Sequence, residues 1–371
     1  MPLQDEIDGR RRSIKTDSYA MSIGELMNLY QSGELDLHPD FQRFFRWTPE
    51  QKTKLIESIL LGIPLPPVFV SQRTDGIWEV IDGLQRLSAI FQFAGILKNE
   101  RDETLLGLTL NKAKYLTSLE NKIWENLEDS DDPNSLTAQQ RIDIKRSKIA
   151  VNIILRESAP EAKYDMFERL NTGGTQLSEQ EVRNCLLLMS NKEFFKWIET
   201  LGSHESFCGV ISLSDRAKEE RYDLELVVRF LTLRTIGEAD LRGLSDVSTL
   251  LTDRIIELST ANLDLDEEGR IFRATFDLLD AAMGEDSFRR YDPAKDRFLG
   301  GFLVSVFEVI GIGLGHNVDS WKNTPEDRQA IIDVAKSIWN EAEFTRYQGS
   351  GVRGTYRIPH TVPLGWKIFQ R

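Results

Sequence analysis

The central segment of the chain is Trp78-Glu79-Val80-Ile81-Asp82-Gly83-Leu84-Gln85-Arg86. Its first four residues alternate and include β-branched side chains, which predicts a buried strand, and Asp82-Gly83 breaks that strand. Apolar residues then recur at helical spacing from Leu84 to Ala94, so a helix is expected to begin at once and to end at Gly95. The segment therefore predicts a strand that turns sharply into a helix.

A corner of this kind favours a bound anion, most often a phosphate. The first amides of the helix point out of the sheet edge, together with the positive end of the helix dipole. Gly83 allows a ligand to approach the backbone, and Arg86 in the first turn can bind phosphate or carboxylate oxygens. Asp82 can hold a metal ion or a polarised water. An alternative needs no ligand, because Asp82 is a preferred N-cap residue and Arg86 can pair with a carboxylate.

The composition is that of a soluble globular protein, with 371 residues, 40% hydrophobic and 28% charged residues, and a formal net charge of −13. An acidic molecule can bind nucleic acid only through a local basic patch. Cys185 and Cys208 make no disulfide framework, and the basic start lacks an apolar segment, so the sequence predicts a cytoplasmic protein. We find no apolar run long enough to span a membrane and no histidine spacing typical of a metal site.

The patterns divide the chain into four regions. These are a flexible arm at residues 1–18, a small α+β domain at 19–190, a helical bundle at 191–343, and a basic, aromatic tail at 344–371. Capping residues at Ser22, Thr48 and Ser178 mark helix starts. Strands are predicted at residues 68–71, 78–81 and 149–155.

Two stretches interleave arginine with aromatic residues. The first runs from Asp40 to Trp47 and includes Arg43 and Arg46. The second is the tail, which has no acid and contains Arg346, Arg353, Arg357, Lys367 and Arg371 among Tyr347, Tyr356 and Trp366. This composition fits phosphate contacts and base stacking. The alternatives are core aromatics with solvated arginines, and a tail that neutralises the acidic body within the chain or in a dimer.

Three ordered segments resemble the GmrS-like domain of unknown function found in modification-dependent restriction systems, which is related to the ParB/sulfiredoxin fold. They are Asp40-Phe41-Gln42-Arg43 with the run 55–67, Ile81–Arg86, and Phe167–Thr175 with Glu181 and Arg183-Asn184. The resemblance covers about residues 20–190, and agreement in all three segments makes it specific.

The resemblance implies a small mixed domain whose Asp-Gly-x-Gln-Arg loop binds and hydrolyses a nucleoside triphosphate. In relatives this hydrolysis is tied to sensing phage DNA, often with modified bases or backbone. Carried onto this chain, the loop is Asp82, Gly83, Gln85 and Arg86. The further nucleotide-binding positions are Gln42, Arg43, Arg169, Asn171, Thr172, Gly173 and Gly174.

The sequence departs from the family at two points. Many relatives have a second glutamine where this chain has Leu84, which affects the expectation of hydrolysis more than that of binding. Restriction relatives often carry a histidine-dependent nuclease domain of the HNH kind, which needs a histidine beside metal-binding groups. His204, His316 and His360 lie in no such frame, so we assign no nuclease domain of that kind.

The expected site is a phosphate clamp with Mg²⁺ as cofactor. The turns at Gly83 and at residues 171–175 would face each other across the sheet edge. Asp82 or Glu181 would position the Mg²⁺ ion or the attacking water. The alternatives are a helix C-cap for Gly173-Gly174 and a capping box for Glu181.

The sequence therefore predicts a nucleotide-binding and NTP-hydrolysing sensor module of a bacterial anti-phage or restriction system. It would contact DNA, including modified phage DNA, through Arg43, Arg46 and the tail. The main alternative is a non-hydrolytic protein that binds DNA or a partner, and the next is a nuclease that uses the ParB-like core. A homo-oligomer or a separate effector subunit stays open, and no membrane contact is expected.

Overall fold

The structure is a computed structural model that describes residues 3–5, 7, 15–37, 47–99, 101–158, 166, 178–349 and 351–371. The chain divides into two compact units, Met1–Gln176 and Leu177–Arg371. It is α+β, with a mixed five-stranded sheet in the first unit and mostly helices in the second, which confirms the predicted class. The division comes after Gln176, whereas the sequence analysis placed a domain boundary at residue 190.

The first unit contains one sheet, and its α-helices lie between the strands in the sequence. The strands are β1 (Thr16–Ser22), β2 (Leu35–Asp36), β3 (Val68–Gln72), β4 (Trp78–Asp82) and β5 (Lys148–Ile154). The helices are α1 (Ile23–Gln31), α2 (Pro49–Leu60), α3 (Leu84–Phe93) and α4 (Ala138–Arg146). The three predicted strands and the helix after Gly83 are confirmed.

The sheet has the strand order β1-β5-β3-β4-β2. β1 runs antiparallel to β5 and β3 antiparallel to β4, whereas β3–β5 and β2–β4 are parallel pairs. Register partners share a face of a sheet, and the pairs Val68–Val151 and Val70–Ile153 are all buried. Their face is therefore the core side of the sheet.

β1 begins within the segment 1–18 that the sequence predicts as a flexible arm, so residues 16–18 belong to the sheet, whereas residues 8–14 lie outside the described residues. The strand begins at Thr16 and pairs with β5 from Thr16–Ile154 to Ser22–Lys148. Residues 16–20 are all exposed, so they lack the alternation by which a half-buried strand is recognised. Backbone pairing with β5 creates this edge strand, and the side-chain pattern gives no signal for it.

Local capping explains where the helices begin. The Thr48 hydroxyl accepts the Gln51 amide, and the Gln51 side chain accepts the Thr48 amide at 2.8 Å, so the predicted capping box at α2 is confirmed. Ser22 caps α1 by accepting the Glu25 amide at 3.1 Å. These contacts satisfy helix-start amides that would otherwise lack a partner.

The second unit is built mostly from helices. They are α5 (Glu179–Ser190), α6 (Lys192–Gly202), α7 (Glu205–Ile211), α8 (Asp215–Glu219), α9 (Tyr222–Leu233), α10 (Glu238–Arg242), α11 (Val247–Thr260), α12 (Leu265–Met283), α13 (Val304–His316), α14 (Pro325–Ser337), α15 (Ala342–Tyr347) and α16 (Gly354–Ile368). A short hairpin of β6 (Arg290–Asp292) and β7 (Arg297–Leu299) interrupts them, which the sequence analysis did not predict.

A buried ionic network lies between α9, α13 and α16. Glu308 is fully buried, and Arg357 donates to both of its oxygens, at 2.8 and 2.9 Å. The Thr361 hydroxyl donates to the same carboxylate at 2.9 Å, and Nη1 of Arg229 lies 3.5 Å from it. Arg229 also donates to Glu225 at 2.8 Å. The buried carboxylate of Glu308 therefore interacts with two guanidinium groups, those of Arg357 and Arg229.

The segment 344–371 is an integral part of the second unit, which corrects its description as a tail. It forms the end of α15 and all of α16, and α16 packs against α13. A Cβ built at Gly313 would lie 2.5 Å from the Gly365 backbone, so the two helices meet backbone to backbone. Glycines and the internal Pro359 and Pro363 argue against a helix locally, and the buried face of α16 outweighs them.

In the described part of the chain, no helix combines the length and the apolar character that a membrane crossing requires.

Candidate functional site

The corner between β4 and α3 has the predicted geometry. β4 ends at Asp82, and Gly83 occupies the N-cap position of α3 in the left-handed conformation, with φ +97°. The first hydrogen bond of the helix runs from the Leu87 amide to the Gly83 carbonyl at 3.0 Å. Because the N-cap residue is glycine, it has no side chain that could accept a helix-start amide, and Gly83 and Leu84 are themselves buried.

Gly83 is required by the fold. A Cβ at this position would lie 2.8 Å from Cγ2 of Val68, a side chain of the sheet core. The left-handed backbone conformation adds its own penalty for any other residue. The glycine is therefore explained by packing and conformation even before a ligand is considered.

Arg86 braces the corner. Its Nη2 donates to Oδ2 of Asp82 at 2.7 Å, and its Nη1 donates to the Pro67 carbonyl at 3.0 Å and to the Pro66 carbonyl. Burial lowers the pKa of Arg86, and the neighbouring Asp82 carboxylate opposes that shift. The guanidinium fixes the proline connector, the end of β4 and the first turn of α3 relative to one another. The ligand-free alternative, in which Arg86 pairs with a carboxylate, is confirmed as a contact.

Asp82 remains accessible despite this ion pair. Its side chain is 33% exposed, whereas that of Arg86 is 12% exposed. Its second oxygen, Oδ1, makes no hydrogen bond to any residue that the structure describes. The corner is therefore half-open, with a carboxylate at its surface and a guanidinium behind it.

Gln85 has a positioning contact. Its Oε1 accepts a hydrogen bond from the Trp47 amide at 3.1 Å. Trp47 follows the segment 38–46, which lies outside the described residues together with the predicted positions Gln42, Arg43 and Arg46. Gln85, in the first turn of α3, therefore fixes Trp47, the first described residue after the Arg43 motif.

A row of register partners connects the corner to a pocket in the same unit. Ser18 pairs with Asn152 and Asn152 with Phe69, so these three side chains lie on one face of the sheet. Phe69 is also the register partner of Asp82, across a shift in register between Phe69 and Val70. A pocket of about 350 Å³ opens on this face, lined by Thr16, Asp17, Ser18, Phe69, Asn152, Ile153, Ile154 and Met166. Phe69 is thus next to both the pocket and Asp82.

Phe69 and Asn152, which line this pocket, are not among the site residues that the sequence predicts. One signal was available, because Asn152 is a polar residue inside the apolar run of β5. Its neighbours Val151 and Ile153 are buried, so alternation places Asn152 on the opposite face. The strand pairing that brings Asn152 beside Phe69 could not be inferred from either strand alone.

Glu181 lies in the second unit, at the start of α5. Its carboxylate accepts the Ser178 amide at 2.7 Å, and the Ser178 hydroxyl accepts the Glu181 amide at 3.2 Å. The capping-box alternative is therefore confirmed. The catalytic role expected of Glu181 stays a prediction, as does its partner turn, since Arg169, Asn171, Thr172, Gly173 and Gly174 lie outside the described residues.

Metal binding by protein groups alone finds little support. Within the described ranges, no group of three or more His, Cys, Asp or Glu side chains is placed to hold a metal ion. A Mg²⁺ ion held by Asp82 would need ligand oxygens to complete its shell. Mg²⁺ is commonly bound in this way, by one or two carboxylates together with substrate phosphates.

Three of the predicted DNA-contacting residues of the second unit are exposed, and one is not. Arg346, Arg353 and Lys367 are exposed, and the Arg346 guanidinium lies 5.5 Å from the centre of the Tyr347 ring. Arg357 is corrected, because its Nε and Nη2 both donate to Glu308 in the core. Its guanidinium neutralises a buried carboxylate and is not available to a phosphate.

Comparison with known proteins gives one match. Residues 23–188 match the family model described as the N-terminal domain of the GmrSD restriction endonuclease. The matched range includes the β4–α3 corner and ends within α5. No curated protein and no solved structure matches the chain.

Proposed function

We propose that the chain is a nucleotide-binding and NTP-hydrolysing sensor module that contacts DNA, because residues 23–188 match the family model of GmrSD restriction endonuclease N-terminal domains. The family itself indicates a component of a restriction or anti-phage system. The nucleotide chemistry, the DNA contact and a ParB/sulfiredoxin-like fold of the first unit are our additions. The mixed sheet that turns through Gly83 into α3 supports the last of these.

One observation carries the nucleotide proposal. Asp82 is partly exposed at an uncapped helix start, with the Arg86 guanidinium fixed behind it. The helix amides and the guanidinium would bind phosphate oxygens, and Asp82 would hold Mg²⁺, which neutralises phosphate charge. Arg86 is already oriented by three oxygen atoms, so binding costs little of its side-chain freedom.

Substitution of Asp82 tests the enzyme. We expect the full-length protein to release phosphate from at least one of ATP, GTP, CTP and UTP with Mg²⁺, and Asp82→Asn to lower that rate about a hundredfold or more. Arg86→Lys keeps the charge but loses the planar fork, so it should lower the rate at least about tenfold.

Asp102 offers a matched control in the same unit. It pairs with Lys98 at 2.8 Å in the same i,i+4 arrangement, with both side chains exposed. Asp102→Asn should leave the rate unchanged. Failure to hydrolyse any of the four nucleotides, or an Asp82→Asn protein that is as active as wild type, would overturn the proposed activity.

The DNA proposal rests on the exposed cations of the second unit. We expect the variant Arg346→Gln/Arg353→Gln/Lys367→Gln to bind duplex DNA more weakly and with a shallower dependence on salt. For each DNA phosphate that the variant no longer neutralises, the slope of log K against log salt should become shallower by about 0.9. Deleting residues 344–371 would not test this, because it removes helix α16 from the core.

The control for this experiment removes the same charge elsewhere on the second unit. Lys196, Arg216 and Arg242 are also exposed, and glutamine at these three positions should leave the slope near its wild-type value. Equal slopes for the two triple variants would show that α15 and α16 do not form a DNA surface.

A second candidate function has an observation of its own. Arg86 directs its donors to Asp82 and to two carbonyls, as a structural arginine would. This favours a non-hydrolytic protein in which the corner is rigid and holds a phosphodiester backbone. DNA binding without phosphate release from any nucleotide would support it over the enzyme.

A further inference from the structure

We infer that the pocket beside Asp82 takes the nucleobase of the nucleoside triphosphate, with the Phe69 ring as its stacking surface and the Asn152 amide as its hydrogen-bonding group. The inference rests on the proposed nucleotide function of the corner. It assigns a task to two residues that neither the central loop nor the three family segments include.

The position of the pocket is the first argument. Phe69 is the register partner of Asp82 on one side and of Asn152 on the other. Neighbouring strands lie about 4.8 Å apart, so Asn152 is roughly 10 Å from Asp82 along the sheet. A nucleotide whose phosphates sit at the start of α3 is therefore long enough to reach the pocket with its base.

The lining of the pocket is the second argument. Phe69, Ile154 and Met166 supply apolar wall, and Asn152 supplies an amide that can both donate and accept. Ligand sites commonly combine such walls with a few polar groups, and aromatic side chains stack on any nucleobase. A volume of about 350 Å³ lies in the range typical of small-molecule sites.

The solvent exposure of this face is the third argument. The opposite face of β3 buries Val68 and Val70 completely, whereas Phe69 and Asn152 are only partly buried. Among the described residues, none forms a hydrogen bond with the Asn152 side chain. A nucleobase would cover the half-buried Phe69 ring by stacking on it and would supply the hydrogen-bond partner of the Asn152 amide.

The experiment compares ligands with and without a base. We would measure the dissociation constants of the β,γ-imido analogues of ATP, GTP, CTP and UTP, and of inorganic tripolyphosphate, for the full-length protein with Mg²⁺. Phe69→Leu keeps an apolar side chain but removes the ring. It should weaken the best-bound analogue about tenfold, which corresponds to about 1.4 kcal/mol, and leave tripolyphosphate binding unchanged.

Two further variants complete the design. Leucine is nearly the same size as asparagine but has no hydrogen-bonding group. Asn152→Leu should therefore reduce the ratio between the weakest and the tightest dissociation constants of the four analogues about tenfold. Tyr19→Leu removes an aromatic ring from β1 of the same sheet that does not line the pocket, and it should change neither class of ligand. Asn152→Leu decides the matter alone if Phe69→Leu does not fold.

The outcomes separate this inference from the proposed function. If tripolyphosphate binds as tightly as every analogue and Asp82→Asn weakens it, the corner binds phosphate and the nucleobase assignment is wrong. If Phe69→Leu weakens tripolyphosphate as much as the analogues, the ring supports the corner and does not contact a base. If no ligand binds, both the proposed function and this inference fail.

Discussion

Replacing Glu308 by alanine is expected to lower the free energy of unfolding of the second unit by about 3–5 kcal/mol. The carboxylate is fully buried, accepts two bonds from Arg357 and one from Thr361, and lies 3.5 Å from Arg229. Its removal leaves the charge of Arg357 buried without this carboxylate and takes one of two acids away from Arg229. Hydrogen exchange of peptides from α13 and α16 would measure the destabilisation of this unit separately.

Two controls define what the Glu308 result means. Glu238 forms an exposed i,i+4 pair with Arg242, so Glu238→Ala should cost less than about 1 kcal/mol. Glu308→Gln keeps the shape and one accepting oxygen, so its cost should fall between those of the two alanine variants. A Glu308→Ala protein as stable as Glu238→Ala would show that the buried network contributes little to the stability of the unit.

Gly365→Ala is expected to destabilise the second unit by about 3 kcal/mol, at the upper end of the range for overpacking. The added Cβ would overlap the carbonyl oxygen of Val309 in α13. Both partners are backbone atoms of helices, so no change of rotamer relieves the overlap and the helices must separate. Urea unfolding followed by tryptophan fluorescence would measure the effect, because Trp366 is in the same helix.

Gly351 provides the control for that substitution. It lies in the same C-terminal region, and a Cβ at this position would have no atom within 4 Å. Gly351→Ala should therefore change the free energy of unfolding only slightly. Equal effects of the two substitutions would contradict the close approach of α13 and α16.

The parts of the fold that local chemistry determines were predictable from the sequence. The β4–α3 corner follows from strand alternation, a glycine that accepts φ +97°, and a helical stripe that begins at Leu84. The capping boxes at Thr48 and Ser178 follow from hydroxyl and carboxamide or carboxylate groups three residues apart. In each case the deciding atoms lie within a few residues of one another.

The parts that depend on distant segments were not predictable. Arg357 and Glu308 belong to different helices, and charge pattern alone made Arg357 look like a surface cation. Asn152 and Phe69 become neighbours only through the parallel pairing of β5 with β3. α16 contains two prolines and is helical because its buried face packs against α13. Local helix propensity does not reveal that packing.

The placement of β1 has a consequence for how the first unit assembles in time. Among the described strands β1 lies at the edge of the sheet, and it pairs with β5, from the far end of the same unit. Pairings between sequence-distant segments form late in folding, because the chain between them must first be ordered. β1–β5 is the most sequence-distant of the described pairings, so we expect the other four strands to assemble first and β1 to close the sheet last. Until it does, β5 presents an unpaired backbone edge, which makes this interval the one in which the unit is most exposed to self-association.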